Sequence, residues 1–157
     1  MVIVNFDGAL SLTNSTLAEN TLGRGVHFGG SVIWGAPNAA TFLQNTIVTH
    51  NAEDTRVQDC EGSITSLGNN LISDTAGCGI VLQPTDLTGD AGLGAFTDNG
   101  MPGNGHFPLL ATSRAIDAAN TSVCPEKDQI GQPRKPHCDI GVIEFSHHLD
   151  ELVQNRP

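Results

Sequence analysis

The sequence predicts an all-β fold, a parallel β-helix in which short strands wind into a solenoid. Three observations lead there. A phrase returns three times: residues 12–20 read LTNSTLAEN, 43–51 read LQNTIVTHN and 67–74 read LGNNLISD. Its Leu-x-Asn core aligns Asn14, Asn45 and Asn69, which stand 31 and 24 residues apart. Thr16, Ile47 and Leu71 follow in register, and then Leu17, Val48 and Ile72. Self-similarity at such a period is the mark of a solenoid. Within each phrase every second residue can face inward, as in Leu10, Leu12, Asn14 and Thr16, which is strand periodicity. Finally, β-branched residues and Asn dominate these runs, and helix caps are absent, so helix is disfavoured.

Along the chain, residues 2–4 read as a strand already in progress, and further strands are expected at 25–28, 32–34 and 79–82. Gly29 and Gly30 suit a tight corner between two of them. A period of this length is too long for a hairpin rhythm. It fits one coil of two or three strands stacked about 4.8 Å from the next, giving three to four coils over residues 1–90. Aligned asparagines then lie above one another, and Asn14, Asn45 and Asn69 are expected to point inward as an amide ladder. After residue 84 the rhythm breaks into a Gly/Pro/Asn/Asp string of turns. Residues 91–146 read as irregular wrapping and a C-terminal cap, and 147–157 as a polar tail with a short helix in HHLDELV. Together these make one structural domain.

A solenoid exposes two ends, and each needs cover. The cap supplies one. The start, MVIVNFDGALSLTN, has no basic region, apolar core or small-residue cleavage site of a signal peptide. The expectation is therefore the mature C-terminal part of a longer chain. Its first coil would pack on the upstream part of that protein or on a second copy.

Seventeen Asp and Glu against seven Lys and Arg leave a net charge of −10. Such a surface repels phosphate backbones, which argues against nucleic-acid binding, and it repels anionic polysaccharides unless a cation bridges the two. No apolar run approaches the roughly 18 residues of a membrane span.

Cys60, Cys78, Cys124 and Cys138 allow three pairings, and the sequence does not choose among them. Neighbour pairing would close loops of 18 and 14 residues, each stabilising by about 3 kcal/mol on chain-entropy reasoning. A zinc site competes, but no CxxC pair exists and no His stands at finger spacing. Disulfides imply an extracytoplasmic compartment, secreted or at the cell surface.

The C-terminal end carries a resemblance. TDNGMPGNGHFPLLATSRAIDAA, from residue 97, is followed by CPEKDQIGQPRKPHCDIGVIEF, from residue 124. Upstream stands CEGSITSLGNNLISDTAGCGI, from residue 60. In this order the motifs resemble the signature of secreted bacterial right-handed parallel β-helix proteins, the choice-of-anchor group. The departures are Met101 for a glycine, Ile130 for an arginine and Val142-Ile143 for an Ala-Phe pair. The resemblance implies a right-handed β-helix and export. It implies little about activity, since such scaffolds serve lyases, hydrolases, adhesins and spacers alike.

Candidate chemistry falls into several groups. Arg56, among Glu53, Asp54 and Asp59, offers a base and a carboxylate pair of the kind used by polysaccharide lyases or glycoside hydrolases; a solvated charged loop is the plainer reading. Asp86, Asp90 and Asp98, with Asn99, offer oxygens to Ca²⁺, the one cofactor considered, although Asp-Gly and Asn-Gly are also ordinary turn formers. Asp128, Arg134, Asp139 and Glu144 make the cap look like an active site, yet they equally suit ion pairs that lock it down. Asp117 suits a turn, its carboxylate accepting from backbone. The six histidines are scattered, and Trp34, the sole Trp, either fills a coil corner or meets a glycan. Asn14-Ser15-Thr16 and Asn120-Thr121-Ser122 match the N-glycosylation pattern.

The residues that stand out are nearly all explained by stacking, turns and closure. The expected function is a non-catalytic extracellular scaffold or adhesion module, with a carbohydrate-active enzyme of β-helix type as the alternative.

Overall fold

A computed structural model describes residues 3–22, 32–53, 56–98 and 100–146. It is all-β: fourteen short strands and a single 3-10 turn at Thr121–Val123, with no α-helix among the described residues. The expected strand at 25–28, the Gly29-Gly30 corner and the helix in HHLDELV lie outside the described residues.

Three sheets are built wholly from parallel pairs. The first stacks β1 (Ile3–Asn5), β5 (Ile33–Gly35), β10 (Cys60–Ser63) and β13 (Cys78–Gly79). The second stacks β2 (Ala9–Thr13), β6 (Ala40–Gln44) and β11 (Thr65–Ser66). The third stacks β3 (Thr16–Ala18), β7 (Ile47–Thr49), β12 (Leu71–Ile72) and β14 (Leu87–Thr88). A small mixed sheet adds β4 (Thr21–Leu22), β8 (Ala52–Glu53) and β9 (Arg56–Val57), the last two antiparallel.

The chain visits the three sheets in turn and then repeats the circuit, an arrangement compatible with a solenoid. Register follows the aligned phrases in the third sheet, where Leu17 pairs with Val48 and Val48 with Ile72; in the second sheet Leu12 pairs with Leu43, but Leu43 pairs with Ser66 rather than Leu67, which is left exposed. Because strand side chains alternate in direction, one set of these positions faces the interior. Leu17, Val32, Ile33, Leu43, Val48, Cys60, Ile64 and Ile72 form the inner core.

The next residue along faces the other way. Ile47 and Leu71 lie on the outer face of the third sheet, where Ala91, Leu109, Ala115, Ile140 and Phe145 cover them. The segment after residue 90 therefore packs along a flank of the stack, where the sequence suggested closure of its end. Bridges Leu93–Leu109 and Thr97–His106 make a short antiparallel arm within it.

The strand expected at 79–82 shrinks to Cys78–Gly79. Beyond it Ile80 still touches the inner core, but Val81 is 79% exposed, so nothing is gained by continuing the alternation.

Both cysteine pairs join neighbours in sequence, Cys60 to Cys78 and Cys124 to Cys138. The first links β10 to β13 within one sheet, and the second clips a loop of the flanking segment.

Candidate functional site

The asparagine column organises one corner of the stack. Asn14, Asn45 and Asn69 all adopt positive φ, at 48°, 49° and 56°, which Asn tolerates better than most residues. Asn45 donates from Nδ2 to Oδ1 of Asn14 at 3.2 Å. There the ladder stops, because Asn69 donates to the Ala118 carbonyl at 2.9 Å.

Nor do the amides point into the solenoid interior. Asn45 also donates to the Asn120 carbonyl at 3.0 Å and accepts from the Asn120 N–H at 2.8 Å. Asn14 donates to the Val123 carbonyl at 3.0 Å. Residues 118–123 thus run back across three stacked corners like a strap, and the buried amides satisfy their backbone. Asn14 Nδ2, the atom a glycan would occupy, is thus engaged in the strap contact. The return strand of the strap approaches as closely: Gly141 donates to the Asn45 carbonyl at 2.9 Å, and Val142 donates to Thr16 Oγ1 at 3.1 Å. Gly141 has φ 96°, and a Cβ there would sit 2.8 Å from Ile47 Cδ1, so only glycine fits.

Asp59, read as a catalytic carboxylate, is fully buried. It accepts from Asn51 N and Nδ2 at 3.0 and 2.9 Å, and from Ser73 Oγ and Asp74 N at 2.6 and 2.9 Å. Asn20 extends this network by donating from N and Nδ2 to Asn51 Oδ1. Arg56 lies in β9, opposite Glu53, and Asp54 lies outside the described residues.

A corner away, Asp86 acts in the same manner. It accepts from Ser66 Oγ, Asn70 N, Asn70 Nδ2 and Gln83 N at 2.6 to 3.1 Å. Asp90 and Asp98 accept from the N–H groups of Gly92 and Gly100, two residues ahead, the geometry of Asx turns. Among the described residues no group of three His, Cys, Asp or Glu side chains is arranged to hold a metal ion.

The four residues of the C-terminal cluster meet. Arg134 donates to Glu144 Oε2 at 3.2 Å and to the carbonyls of Asp139 and Gly141 at 3.1 and 2.7 Å. Both side chains of this ion pair are 3% exposed. Glu144 also accepts from the N–H groups of Lys135 and Asp139. Asp128 accepts from Ile130, Gln132 and Glu144 N–H groups. Asp139 accepts from Asp117 and Phe145 N–H groups; burial pushes its carboxyl above the ordinary value, while those two donors pull the other way. Asp117 itself is exposed at φ 55°, and it serves the turn through its N–H rather than its carboxylate.

A different feature opens on the outer side of the first sheet. Trp34, Gly35, Pro37, Gly62, Ser63, Gly77 and Gly79 line an open trough of about 540 Å³. Its floor is bare peptide because the stacking demands it. A Cβ on Gly62 would lie 2.1 Å from the Gly35 carbonyl oxygen, and one on Gly79 would lie 2.6 Å from that of Gly62. At one end the Phe6 ring meets Trp34 at 5.4 Å between centroids, tilted by 60°.

No protein-family model, curated protein or solved structure matches the chain. The site's chemistry therefore rests on its own geometry. Sequence reasoning missed Asn51 and Asn70, which meet the Asp59 and Asp86 carboxylates. Asn20 and Asn51 close the first two aligned phrases, a second asparagine column visible beside the first. The glycines 35, 62 and 79 have no shared spacing in the sequence, so only register brings them together.

Proposed function

We propose that this chain is a non-catalytic extracellular scaffold or adhesion module. In this reading it is a right-handed parallel β-helix of three to four coils with a disulfide-clipped C-terminal wrapping. It is the C-terminal part of a larger secreted protein of the choice-of-anchor type. The observation that carries the proposal is the internal engagement of five of its candidate acidic side chains. Asp59, Asp86, Asp128, Asp139 and Glu144 each accept two to four internal hydrogen bonds. A general acid or base must reach the proton it transfers; carboxylates spent on backbone donors act as braces.

The two disulfides support an oxidising compartment, and among the described residues no helix is long and apolar enough to cross a membrane. At the other end β1, β2, β3 and β4 are outermost in their sheets. Among the described residues no further strand pairs beyond them, and such edges suit parallel pairing with upstream chain or with a second copy.

Turnover of uronate polysaccharides and neutral glycans, with and without calcium, tests the reading. Product absorbance and new reducing ends should stay at background throughout. Any activity lost in Arg56→Ala with the fold intact would replace the scaffold with a carbohydrate-active enzyme.

A further inference from the structure

We propose that the cleft between β3 and the antiparallel arm of the flanking segment binds a guanidinium group. The inference adds a ligand to the scaffold reading without resting on it, because binding and turnover are measured separately. Thr16 and Asn20 line one side of the cleft, and Phe96, His106, Phe107 and Gln129 line the other. Its volume is about 200 Å³, below the range of drug-sized sites and suited to a single head group. The walls are tied to one another: Val142 donates to Thr16 Oγ1 at 3.1 Å, and Gln129 N donates to the Val142 carbonyl at 3.0 Å. A cleft held in this way loses little freedom when a ligand enters.

The ligand class follows from hydrogen-bond accounting. Gln129 commits its Nε2 to the carbonyls of Gly103 and Gly105, at 2.6 and 2.9 Å. Asn20 commits its Nδ2 to the Ala18 carbonyl at 3.2 Å and to Asn51 Oδ1 at 3.0 Å. His106 Nδ1 lies 2.7 Å from the Asn104 carbonyl. A carbonyl only accepts, so Nδ1 carries the proton and the neutral ring keeps Nε2 as an acceptor. Three residues of one small cleft therefore retain acceptors and no side-chain donor: Gln129 Oε1, Asn20 Oδ1 and His106 Nε2.

Such a cleft selects a donor-rich ligand, whereas an anion would meet lone pairs. Phe96 and Phe107 add two rings, edge to face at 5.3 Å between centroids, and Phe96 is 56% exposed. Aromatic faces attract cations, and a net charge of −10 raises their local concentration. Among organic cations a guanidinium matches best. Its rim of N–H donors serves the acceptors while its weakly hydrated face stacks on a phenyl ring. An ammonium holds its water more strongly.

The test titrates ethylguanidinium chloride into the isotope-labelled whole chain at constant ionic strength and follows its amide signals by NMR. Signals of Gly105, His106, Phe107 and Val142 should move saturably. Tetramethylammonium, charged but without N–H donors, should bind about tenfold more weakly or worse, as should ethylurea, which is planar but uncharged. Phe96→Leu, at an exposed position, should weaken ethylguanidinium about threefold to tenfold. His106→Phe should weaken it by a similar factor, with melting curves showing that both variants fold. A blocked peptide with one central Arg separates two sources of the group. Binding as tight as the free ion's supports an Arg side chain of a partner, and binding of the free ion alone supports a small molecule.

Shifts that never saturate overturn the proposal, as does tetramethylammonium binding as tightly as ethylguanidinium. Affinity untouched by both substitutions in folded protein also overturns it. The ligand series needs no variant, so it decides even where a substitution unfolds the chain. None of these outcomes touches the scaffold reading, which only turnover of a glycan displaces.

Discussion

The strand stack and the strap that runs along it are held by different physics. In the stack, parallel backbone ladders repeat from pass to pass and the inner core is aliphatic: Ile33, Leu43, Val48 and Ile72 are wholly or almost wholly buried. The segment 91–146 has no such ladder beyond three isolated bridges. Beside its apolar cover over Ile47 and Leu71, it is held by single side-chain ties: Asn45 to Asn120, Asp139 to Asp117 and Phe145, and Arg134 to Glu144. Regular structure satisfies its own backbone, whereas irregular buried chain needs side chains to do so. Polar residues that look catalytic in the sequence therefore collect where the ladder ends.

The largest single effect should lie in the flanking segment that carries the strap. Arg134→Ala leaves the Glu144 carboxylate buried without its cation and should cost about 3–5 kcal/mol in urea unfolding. Replacing both residues with apolar ones of similar size should recover most of that loss. A small effect for the single variant would mean the strap is held by its apolar contacts alone.

The two disulfides sharpen the comparison. Each should contribute about 3 kcal/mol on loop-closure grounds, but in different places. Removing Cys124 and Cys138 should raise amide exchange through 115–145 and spare the strands; removing Cys60 and Cys78 should lower protection in the first sheet. Equal loss everywhere in both variants would show that strap and stack unfold as one unit.

Asn45→Ala should cost about 2–3 kcal/mol in a thermal melt, because it loses the ties to residue 120 and keeps a positive φ that alanine resists. Asn45→Gly relieves the backbone but not the ties, so its smaller loss measures the strap contact by itself.

The smallest effect is a pH slope. Burial raises the Asp139 carboxyl above its ordinary value of 3.8. An acid with a raised folded value keeps its proton longer in the folded chain. Its contribution is therefore fullest below 3.8 and declines as pH rises through the raised value. Asp139→Asn should gain on the wild type across that window in denaturant titrations, and parallel curves would contradict the assignment.

Much of the stack was legible in the sequence. The alignment that set Leu17 with Val48 and Ile72 is the strand register itself, since parallel stacking requires like residues to recur at like positions. The asparagine column was legible as a column, but its direction was not. A side chain at an αL corner can turn inward or outward, and the strap that draws it outward lies about 50 to 110 residues further along the chain. The acidic residues kept two readings open in the sequence for a related reason: a carboxylate that braces a backbone and one that transfers a proton have the same spelling.

By itself the sequence determined an all-β chain of short strands and the register of three of its parallel contacts. Local alternation and periodic recurrence are enough to specify those. Only the tertiary structure decided that residues 91–146 lie along the outer face of the third sheet and that Asp59 and Asp86 are braces. It also placed the glycines of three separated strands beside Trp34 to open a trough. Those features depend on contacts between segments with no shared pattern, and the packing of one against another settles them.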